Sequence, residues 1–263
     1  MRAVRLRARA PTSGLIVPSQ NVFSDAADSG LSIVIPAYNE AERIGRSLRI
    51  VCAYLKQAGH DAEVLVVDDG STDRTPDLAR DLLAAEDLPY RVLTGRSNRG
   101  KGYSVREGAR AASRPWTLIS DADLSTPIAE VERLLAAARK HSHDLVVGSR
   151  GLPESRIGVQ QNWLRMNMGR TFNLCVRLLT RLSLRDTQCG FKLWRTETVR
   201  PLLERLQIDG FAWDVELLMK AHRAGMSIGE VAVEWNDVHG SKVGLLRDPL
   251  HMLRDLIWIR LHR

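Results

Sequence analysis

The chain has 263 residues, of which 44% are hydrophobic and 5% aromatic, and its 38 basic and 31 acidic side chains give a net charge of +7. This length and composition fit one large globular domain and exclude disordered, collagen-like and coiled-coil proteins. Three cysteines without a CxxC pair argue against a zinc cluster and a disulfide framework. The low aromatic content disfavours a stacking platform for nucleic acid. The positive charge suggests nucleic acid, an anionic membrane surface or phosphorylated substrates as partners. Of these, nucleic acid is not among the partners that we predict.

The first half of the chain alternates between short apolar runs and segments with helical periodicity. Residues 1–29 precede this pattern and are predicted to form a flexible basic tail. Strands are predicted over 31–37, 62–70, 90–94, 116–123 and 144–150, separated by helices over 40–58, 74–86, 102–113 and 127–140. Near-continuous Val, Ile and Leu runs are typical of strands that are buried on both faces. Residues 31–150 are therefore predicted to form a doubly wound, mostly parallel α/β sheet.

The pattern changes after residue 150. A polar loop is predicted over 151–160, followed by a long amphipathic helix over 161–182. The rest of the predicted elements are a strand over 186–194, helices over 196–206 and 213–225, a strand over 227–235 and a last helix over 249–261.

The C-terminal helix is predicted to be amphipathic. Five apolar side chains recur at spacings of three and four and therefore share one face: Leu246, Leu250, Leu253, Ile257 and Leu261. Basic side chains lie opposite this face, a pattern that fits a membrane interface. We therefore predict that residues 246–263 form a membrane-interface helix, with packing on the protein body or a partner chain as the alternative.

The predicted strands end in polar residues, and open α/β sheets bind ligands at those carboxyl ends. In LISDADLS, a buried strand delivers Asp121 and Asp123 into a turn, where their carboxylates can converge. Two such ligands suit Mg²⁺ or Mn²⁺ and leave coordination positions for a diphosphate, whose departure the cation would assist. Solvated or helix-capping aspartates are one alternative, and the nucleophile strand of a haloacid dehalogenase-type phosphatase is another.

Two further segments contribute candidate ligand-binding residues. In VVDDGSTDRT, Asp68 and Asp69 close the second strand, where a carboxylate can accept hydrogen bonds from a nucleobase or a ribose. A purely structural capping role is the alternative. In NRGKG, Lys101 lies between two glycines at the start of a helix, where backbone N–H groups and a cation favour anions. A surface loop is the alternative here.

In this order, IPAYNE, VVDDGSTD, NRGKG and DAD resemble glycosyltransferase family 2, the inverting, metal-dependent group with the GT-A fold. The later segments DTQCGFKLW, GFAWDVELL and HGSK are similar to the branch that glucosylates dolichyl or polyprenyl phosphate. The resemblance implies that residues 30–245 form a GT-A glycosyltransferase domain, which is an α/β fold with a doubly wound, mostly parallel sheet.

The resemblance also implies roles for individual residues. The donor-binding residues would be Pro36, Tyr38, Glu40, Asp68, Asp69, Lys101, Asp121, Arg150 and Lys242. Asp121 and Asp123 would hold Mg²⁺ or Mn²⁺, and Asp214 matches the general-base position, so that Asp123 and Asp214 are the predicted catalytic residues. Arg156, Gln188 and Lys192 would face the acceptor.

Together these inferences predict an inverting glycosyltransferase that moves a sugar, in the first place glucose, from a UDP-sugar to a polyprenyl or dolichyl phosphate. The predicted location is cytoplasmic and peripheral on the inner membrane face. Two alternatives stay open: the same fold with a soluble or glycan hydroxyl as acceptor, and a non-enzymatic peripheral membrane-binding protein. The acceptor decides the role of Asp214, because a hydroxyl needs a proton acceptor whereas a lipid phosphate is already ionised near neutral pH.

Overall fold

The computed structural model describes residues 30–159, 163–180, 182–238 and 247–262. The predicted basic tail over 1–29 and the predicted donor-binding Lys242 lie outside the described residues.

The first half of the chain has the predicted alternation of strands and helices. Strands β1 (Leu31–Ala37), β2 (Ala62–Asp68), β3 (Tyr90–Thr94), β4 (Trp116–Ile119) and β5 (Leu145–Ser149) alternate with helices α1 (Ile44–Ala58), α2 (Thr75–Ala84), α3 (Lys101–Ala111) and α4 (Val131–His141). A 3₁₀ turn over Ile128–Glu130 leads into α4. All seven residues of β2 are buried, as are six of the seven in β1, which explains their continuous apolar sequences.

The second half is less regular. It contains β6 (Arg156–Ile157), α5 (Trp163–Thr180), β7 (Lys192–Arg195), α6 (Thr196–Glu204), α7 (Trp213–Arg223), β8 (Ile228–Ala232), β9 (Glu234–Trp235) and α8 (Arg247–Leu261).

Two of the predicted strands in this half differ from the structure. The strand predicted from residue 186 begins only at Lys192. The preceding segment forms a loop because the backbone N–H groups of Arg185 and Asp186 donate to the Glu230 carboxylate, at 2.9 Å each, and not to a neighbouring strand. The strand predicted over 227–235 is divided at Val233, where the chain passes from the large sheet to a small sheet formed by β6 and β9.

The large sheet has the strand order β3-β2-β1-β4-β7-β5-β8. Its strands pair in parallel except for β7, which is antiparallel to both β4 and β5. As a result β7 begins where β4 ends, and Lys192 is paired with Ile119. From β1 the chain first adds β2 and β3 on one side of the sheet, and then returns to add β4 on the other side of β1. Such a switch point is where open α/β sheets bind their ligands.

Helices cover both faces of the sheet and create two hydrophobic clusters. Along β1, Ile33 and Ile35 pack into the cluster that contains Leu48 of α1, whereas Val34 packs into the cluster that contains Trp213 of α7. Full burial of each such side chain stabilises the fold by about 1.5–3 kcal/mol. The sheet is therefore held rigidly from both sides, which fixes the positions of the residues at its carboxyl edge.

Helix α8 packs against α5 and α7. The row that faces the protein consists of Met252, Leu256 and Ile259, which the sequence analysis did not identify. The predicted apolar stripe is exposed in its described part, and Leu246 lies outside the described residues. Within the described ranges, no helix combines the length and the apolar character that crossing a membrane requires.

Candidate active site

The carboxyl ends of β1, β2 and β4 meet at one edge of the sheet. Ala37 is in register with Asp68, and the Asp69 N–H donates to the Ala37 carbonyl at 2.9 Å. On the other side of β1, the Ser120 N–H donates to the carbonyl of Val34 at 3.0 Å. The segments that follow these three strands therefore emerge side by side at the switch point. The carboxylates that the sequence distributes over three segments converge there.

The loops after β1 and β2 are bound to each other through Asn39. This residue has a φ of 53°, in the left-handed region that Asn tolerates better than most residues. Its N–H donates to Ser71 Oγ at 2.8 Å, and its Oδ1 accepts from the Thr72 N–H at 2.9 Å. The sequence analysis did not assign a role to Asn39, although an Asn two residues after a buried strand is a turn signal. The buried Asp68 lies beside this connection and accepts from the Ser71 N–H at 3.3 Å.

Three predicted donor-binding residues, Pro36, Tyr38 and Glu40, are half-buried at the end of β1. The Glu40 N–H donates to Thr75 Oγ1 at 2.7 Å, which ties this segment to the start of α2. The Glu40 carboxylate pairs with Arg43 at 2.5 Å. Together with Asp68 these residues form one wall of the edge.

Asp69 has a structural role in this fold. It is buried, and its two carboxylate oxygens accept from the N–H groups of Arg99 at 2.9 Å and Gly100 at 2.7 Å. Burial raises the pKa of the Asp69 carboxyl, and these two hydrogen bonds partly offset that effect. Gly100 has a φ of 115°, and a side chain there would overlap the Asp209 carbonyl. Asp69 therefore holds the NRGKG loop, and its predicted donor contact would have to use atoms already engaged by that loop.

Lys101 begins α3 and places its Nζ 2.5 Å from Asp121 Oδ1. Burial on its own would raise the pKa of the Asp121 carboxyl, but the Lys101 charge and hydrogen bond bring it below the ordinary value, with Lys192 and Arg150 adding to this effect. Gly190 packs against the same carboxylate, and a Cβ at that position would overlap it. Asp121 is therefore held in its ionised form and in a defined position.

Asp123 lies two residues further along the same turn. Its Oδ1 accepts from Ser125, from the N–H at 2.9 Å and from Oγ at 2.8 Å. Among the described residues, no group of three or more His, Cys, Asp or Glu side chains could enclose a metal ion. The Asp121 and Asp123 pair nevertheless fits Mg²⁺ or Mn²⁺, because such cations are commonly held by one or two carboxylates and complete their shell with substrate oxygens and water.

Asp214 lies in the first turn of α7 and is buried. Its Oδ2 is 3.4 Å from the Nζ of Lys192, which is 0% exposed and donates to the Cys189 carbonyl at 2.5 Å. Burial raises the pKa of the Asp214 carboxyl, and the charges of Lys192 and Lys101 offset only part of this effect. Lys192 was predicted to face the acceptor, but the structure places it beneath Asp214 without access to solvent.

Arg150 follows β5 and makes a two-pronged ion pair with Asp186. Its Nε is 2.6 Å from Asp186 Oδ2 and its Nη2 is 3.0 Å from Oδ1. Burial would raise the pKa of the Asp186 carboxyl, but the Arg150 charge lowers it to about 2. The same carboxylate accepts from the Gln188 N–H at 3.1 Å. The sequence analysis identified Arg150 and Gln188 but not Asp186, whose pairing joins positions 36 residues apart.

Arg156 is the predicted site residue that the described structure does not bring into this group. It lies on the short strand β6, is exposed, and its N–H donates to the Val233 carbonyl at 3.2 Å. The small sheet therefore holds its backbone beside the edge, and no described contact joins its guanidinium to the carboxylates.

The backbone resembles solved structures of the same architecture. Glucosyl-3-phosphoglycerate synthase from Mycobacterium tuberculosis, crystallised with uridine diphosphate, superposes with a TM-score of 0.64 at 21% sequence identity, over 90% of this chain and 80% of that chain. The same synthase has also been crystallised with Mn²⁺ and UDP-glucose. The strand order, the reversed strand β7 and the likeness to these structures define the fold of the chain as the GT-A fold.

The family follows from the sequence match. Residues 32–200 match the model of glycosyl transferase family 2, and the chain belongs to this family. It is 32% identical to dolichyl-phosphate beta-glucosyltransferase of Saccharomyces cerevisiae, over 93% of this chain and 78% of that protein. It is 36% identical to the enzyme of the same name from Drosophila melanogaster, over 90% of this chain and 77% of that protein. The predicted fold class and family are confirmed, and the phosphatase and non-enzymatic alternatives are set aside.

Proposed function

We propose that this protein transfers glucose from UDP-glucose to a polyprenyl or dolichyl phosphate, with inversion at the anomeric carbon. The observation that carries the proposal is the convergence of Asp121, Asp123 and Asp214 with Lys101 at the switch point of the sheet. The negative charges of all three carboxylates raise the pKa of the Lys101 ammonium against the effect of its burial, because the four groups lie near one another. The names of the relatives in yeast and fly support the acceptor class. The ligands of the bacterial synthase support UDP-glucose as donor.

The donor would lie across the carboxyl edge. The nucleoside would occupy the wall formed by Pro36, Tyr38, Glu40 and Asp68, where the Asp68 carboxylate can accept hydrogen bonds. The diphosphate would then extend towards the end of β4. Lys101 supplies a positive charge on that side.

Asp121 and Asp123 would hold Mg²⁺ or Mn²⁺ between them and the diphosphate. When bound, the cation neutralises charge on the departing UDP. The Lys101–Asp121 pair keeps one carboxylate ionised. The two hydrogen bonds from Ser125 to Oδ1 fix the orientation of the Asp123 carboxylate. Both effects pre-organise the carboxylates before the donor arrives.

Inversion requires a single in-line attack by the acceptor oxygen on the anomeric carbon, opposite the leaving diphosphate. A lipid phosphate arrives already ionised, so that no side chain has to take a proton from it. Asp214 would then shape the local charge, in keeping with its burial and its pairing with Lys192. Arg150, Gln188 and Arg156 are proposed to contact the acceptor phosphate or the sugar, with Asp186 orienting Arg150.

A hydroxyl acceptor is the second candidate, and the variant Asp214→Asn separates the two. With a hydroxyl nucleophile the loss of the general base should reduce kcat by more than about a hundredfold. With a phosphate nucleophile the loss should stay below about tenfold, because no proton has to be removed. The raised pKa of Asp214 is the structural feature that favours testing it as a base.

The experiment incubates the protein with Mg²⁺ or Mn²⁺, a panel of nucleotide sugars, and polyprenyl phosphate beside sugar acceptors. We expect glucose to move from UDP-glucose to the lipid, transfer to cease in EDTA, and Asp123→Asn to reduce the rate by at least about a hundredfold. The exposed Asp81→Asn on α2 is the matched control and should keep full activity. Transfer to a sugar hydroxyl alone, or unchanged transfer in EDTA, would contradict the proposal.

The acceptor is a membrane lipid, so we also propose that the protein works as a peripheral protein at the cytoplasmic face of the membrane. The net charge of +7 favours approach to an anionic surface. The exposed apolar row of α8 supports the same location.

A further inference from the structure

Helix α8 carries two apolar rows, and only one of them is used by the fold. Met252, Leu256 and Ile259 are buried against the protein. The other row is open to solvent: Leu250, Leu253, Ile257 and Leu261 are 68%, 39%, 48% and 73% exposed. A helix that only packs on the domain needs one apolar row, the buried one, and its exposed face is ordinarily polar.

Helix α5 adds a second exposed row next to α8. Leu174 and Leu178 are four residues apart, on one face of α5, and are 54% and 72% exposed. Their neighbours Phe172, Cys175 and Leu179 pack into the same cluster as Leu256 and Ile259 of α8. We call the six exposed side chains the two-helix apolar surface: Leu174, Leu178, Leu250, Leu253, Ile257 and Leu261.

The two-helix apolar surface is a concentration and not the ordinary scatter of exposed apolar side chains. Six of the ten large hydrophobic side chains that are exposed in the described part of the chain belong to it. Concentrated apolar exposure marks an interaction surface, whereas single exposed residues need no explanation.

The charged side chains around this surface indicate its partner. The exposed polar residues described on α5 and α8 include Arg177, His251 and Arg254, with His262 directly after α8, and no exposed Asp or Glu is among them. Asp255 is half-buried and accepts from Arg254 at 3.0 Å. Over their full lengths α5 and α8 contain six arginines and two aspartates. A second copy of the chain would bring like charges together, whereas anionic lipid headgroups complement them.

We propose that α5 and α8 together form the surface that docks on the interface of an anionic lipid bilayer, with the six apolar side chains entering the headgroup region. At about 1.5 Å per residue, the 15 residues of α8 extend roughly 22 Å, so the helix lies along the interface. This inference deepens the proposed function, since it names the part of the protein that reaches the lipid acceptor. It differs from docking by α8 alone because it requires α5.

Co-sedimentation of the full chain with vesicles tests this inference. Two compositions are used, phosphatidylcholine alone and phosphatidylcholine with phosphatidylglycerol, both without acceptor lipid. We expect binding to the anionic vesicles that weakens with salt. The double variant Leu174→Gln/Leu178→Gln, on α5, should bind them at least about tenfold more weakly because it removes apolar area from the interface. The control Ile50→Gln replaces an exposed apolar side chain on α1 and should bind like the wild type.

Each other outcome overturns the inference in a distinct way. Unchanged binding by the α5 double variant would show that α5 takes no part. Equal binding to neutral and anionic vesicles would remove the electrostatic contribution. Absence of vesicle binding, with a dimer in sedimentation velocity that the double variant dissociates, would assign the surface to a second copy of the chain. Glucose transfer to a short, water-soluble prenyl phosphate should be unaffected by the variant, so failure of docking and failure of the proposed activity are distinguishable.

Discussion

Replacement of Lys192 by Met tests the buried charge pair beneath the site. Met has a similar length and preserves most of the apolar contact that the Lys stem makes. The cation–π contact of Nζ with Trp213, whose ring centroid is 5.5 Å away, is lost. The substitution removes the ammonium that lies 3.4 Å from Asp214 Oδ2. The Asp214 carboxylate then stays buried without its nearest cation.

The expected loss of stability follows from this burial. Removing one member of a buried ion pair costs about 3–5 kcal/mol, because the remaining charge is not compensated. We expect the free energy of unfolding to fall by about 3 kcal/mol at neutral pH, at the lower end of that range, because Lys101 also stabilises the Asp214 carboxylate. The loss should grow as the pH rises. Without Lys192 the folded protein holds the Asp214 proton more tightly than the unfolded chain does, so rising pH favours unfolding.

Urea unfolding at pH 5 and pH 8 measures this effect. Lys140→Met replaces an exposed lysine of α4 and should change the free energy of unfolding by no more than about 0.5 kcal/mol. The double variant Lys192→Met/Asp214→Asn removes both charges and should recover most of the lost stability. If the double variant is as unstable as the single one, the loss comes from packing and not from the Asp214 carboxylate that has lost its nearest cation.

Two further predictions concern the same edge of the sheet. The pKa of Asp186 is lowered to about 2, below that of an unfolded carboxyl, so its pairing with Arg150 contributes stability above about pH 4 that is lost as the pH falls towards 2. Between pH 5 and 2, wild-type protein should therefore lose about 2 kcal/mol more stability in urea unfolding than Asp186→Asn does, and equal losses would contradict this. Gly190→Ala should weaken UDP-glucose binding in calorimetry by at least about tenfold, since its Cβ would displace the Asp121 carboxylate. The control Gly169→Ala places its Cβ in open space, so it should keep normal UDP-glucose binding and gain about 0.5–1 kcal/mol of helix stability. Normal binding by both variants would show that the Asp121 carboxylate can shift without affecting the donor.

Most of the strands and helices can be predicted from local pattern. The apolar runs of β1 and β2 are continuous because both faces of the sheet are covered, and that requirement is visible in the residues themselves. The prediction was wrong over residues 186–191, which form a loop. The apolar and aromatic residues that follow resemble a strand, and the hydrogen bonds of Asp186 to Glu230 and Arg150 cannot be recognised before the fold is known.

The candidate site was predictable to a similar degree. Asp121 and Asp123 could be identified because acidic residues directly after a buried strand have a defined place at the carboxyl edge. Asn39 and Gly190 were missed because their roles are a backbone conformation and a close approach to Asp121. These properties leave only weak signals in a single sequence.

Local chemistry is sufficient to specify the sheet, its acidic edge and the amphipathic character of the last helix, because periodicity and strand-end composition are properties of contiguous residues. Burial of Lys192 beneath Asp214, the pairing of Arg150 with Asp186 and the outward direction of one apolar row of α8 depend on segments that are distant in sequence. Such contacts are set by how the layers pack on one another, which no stretch of the chain encodes alone.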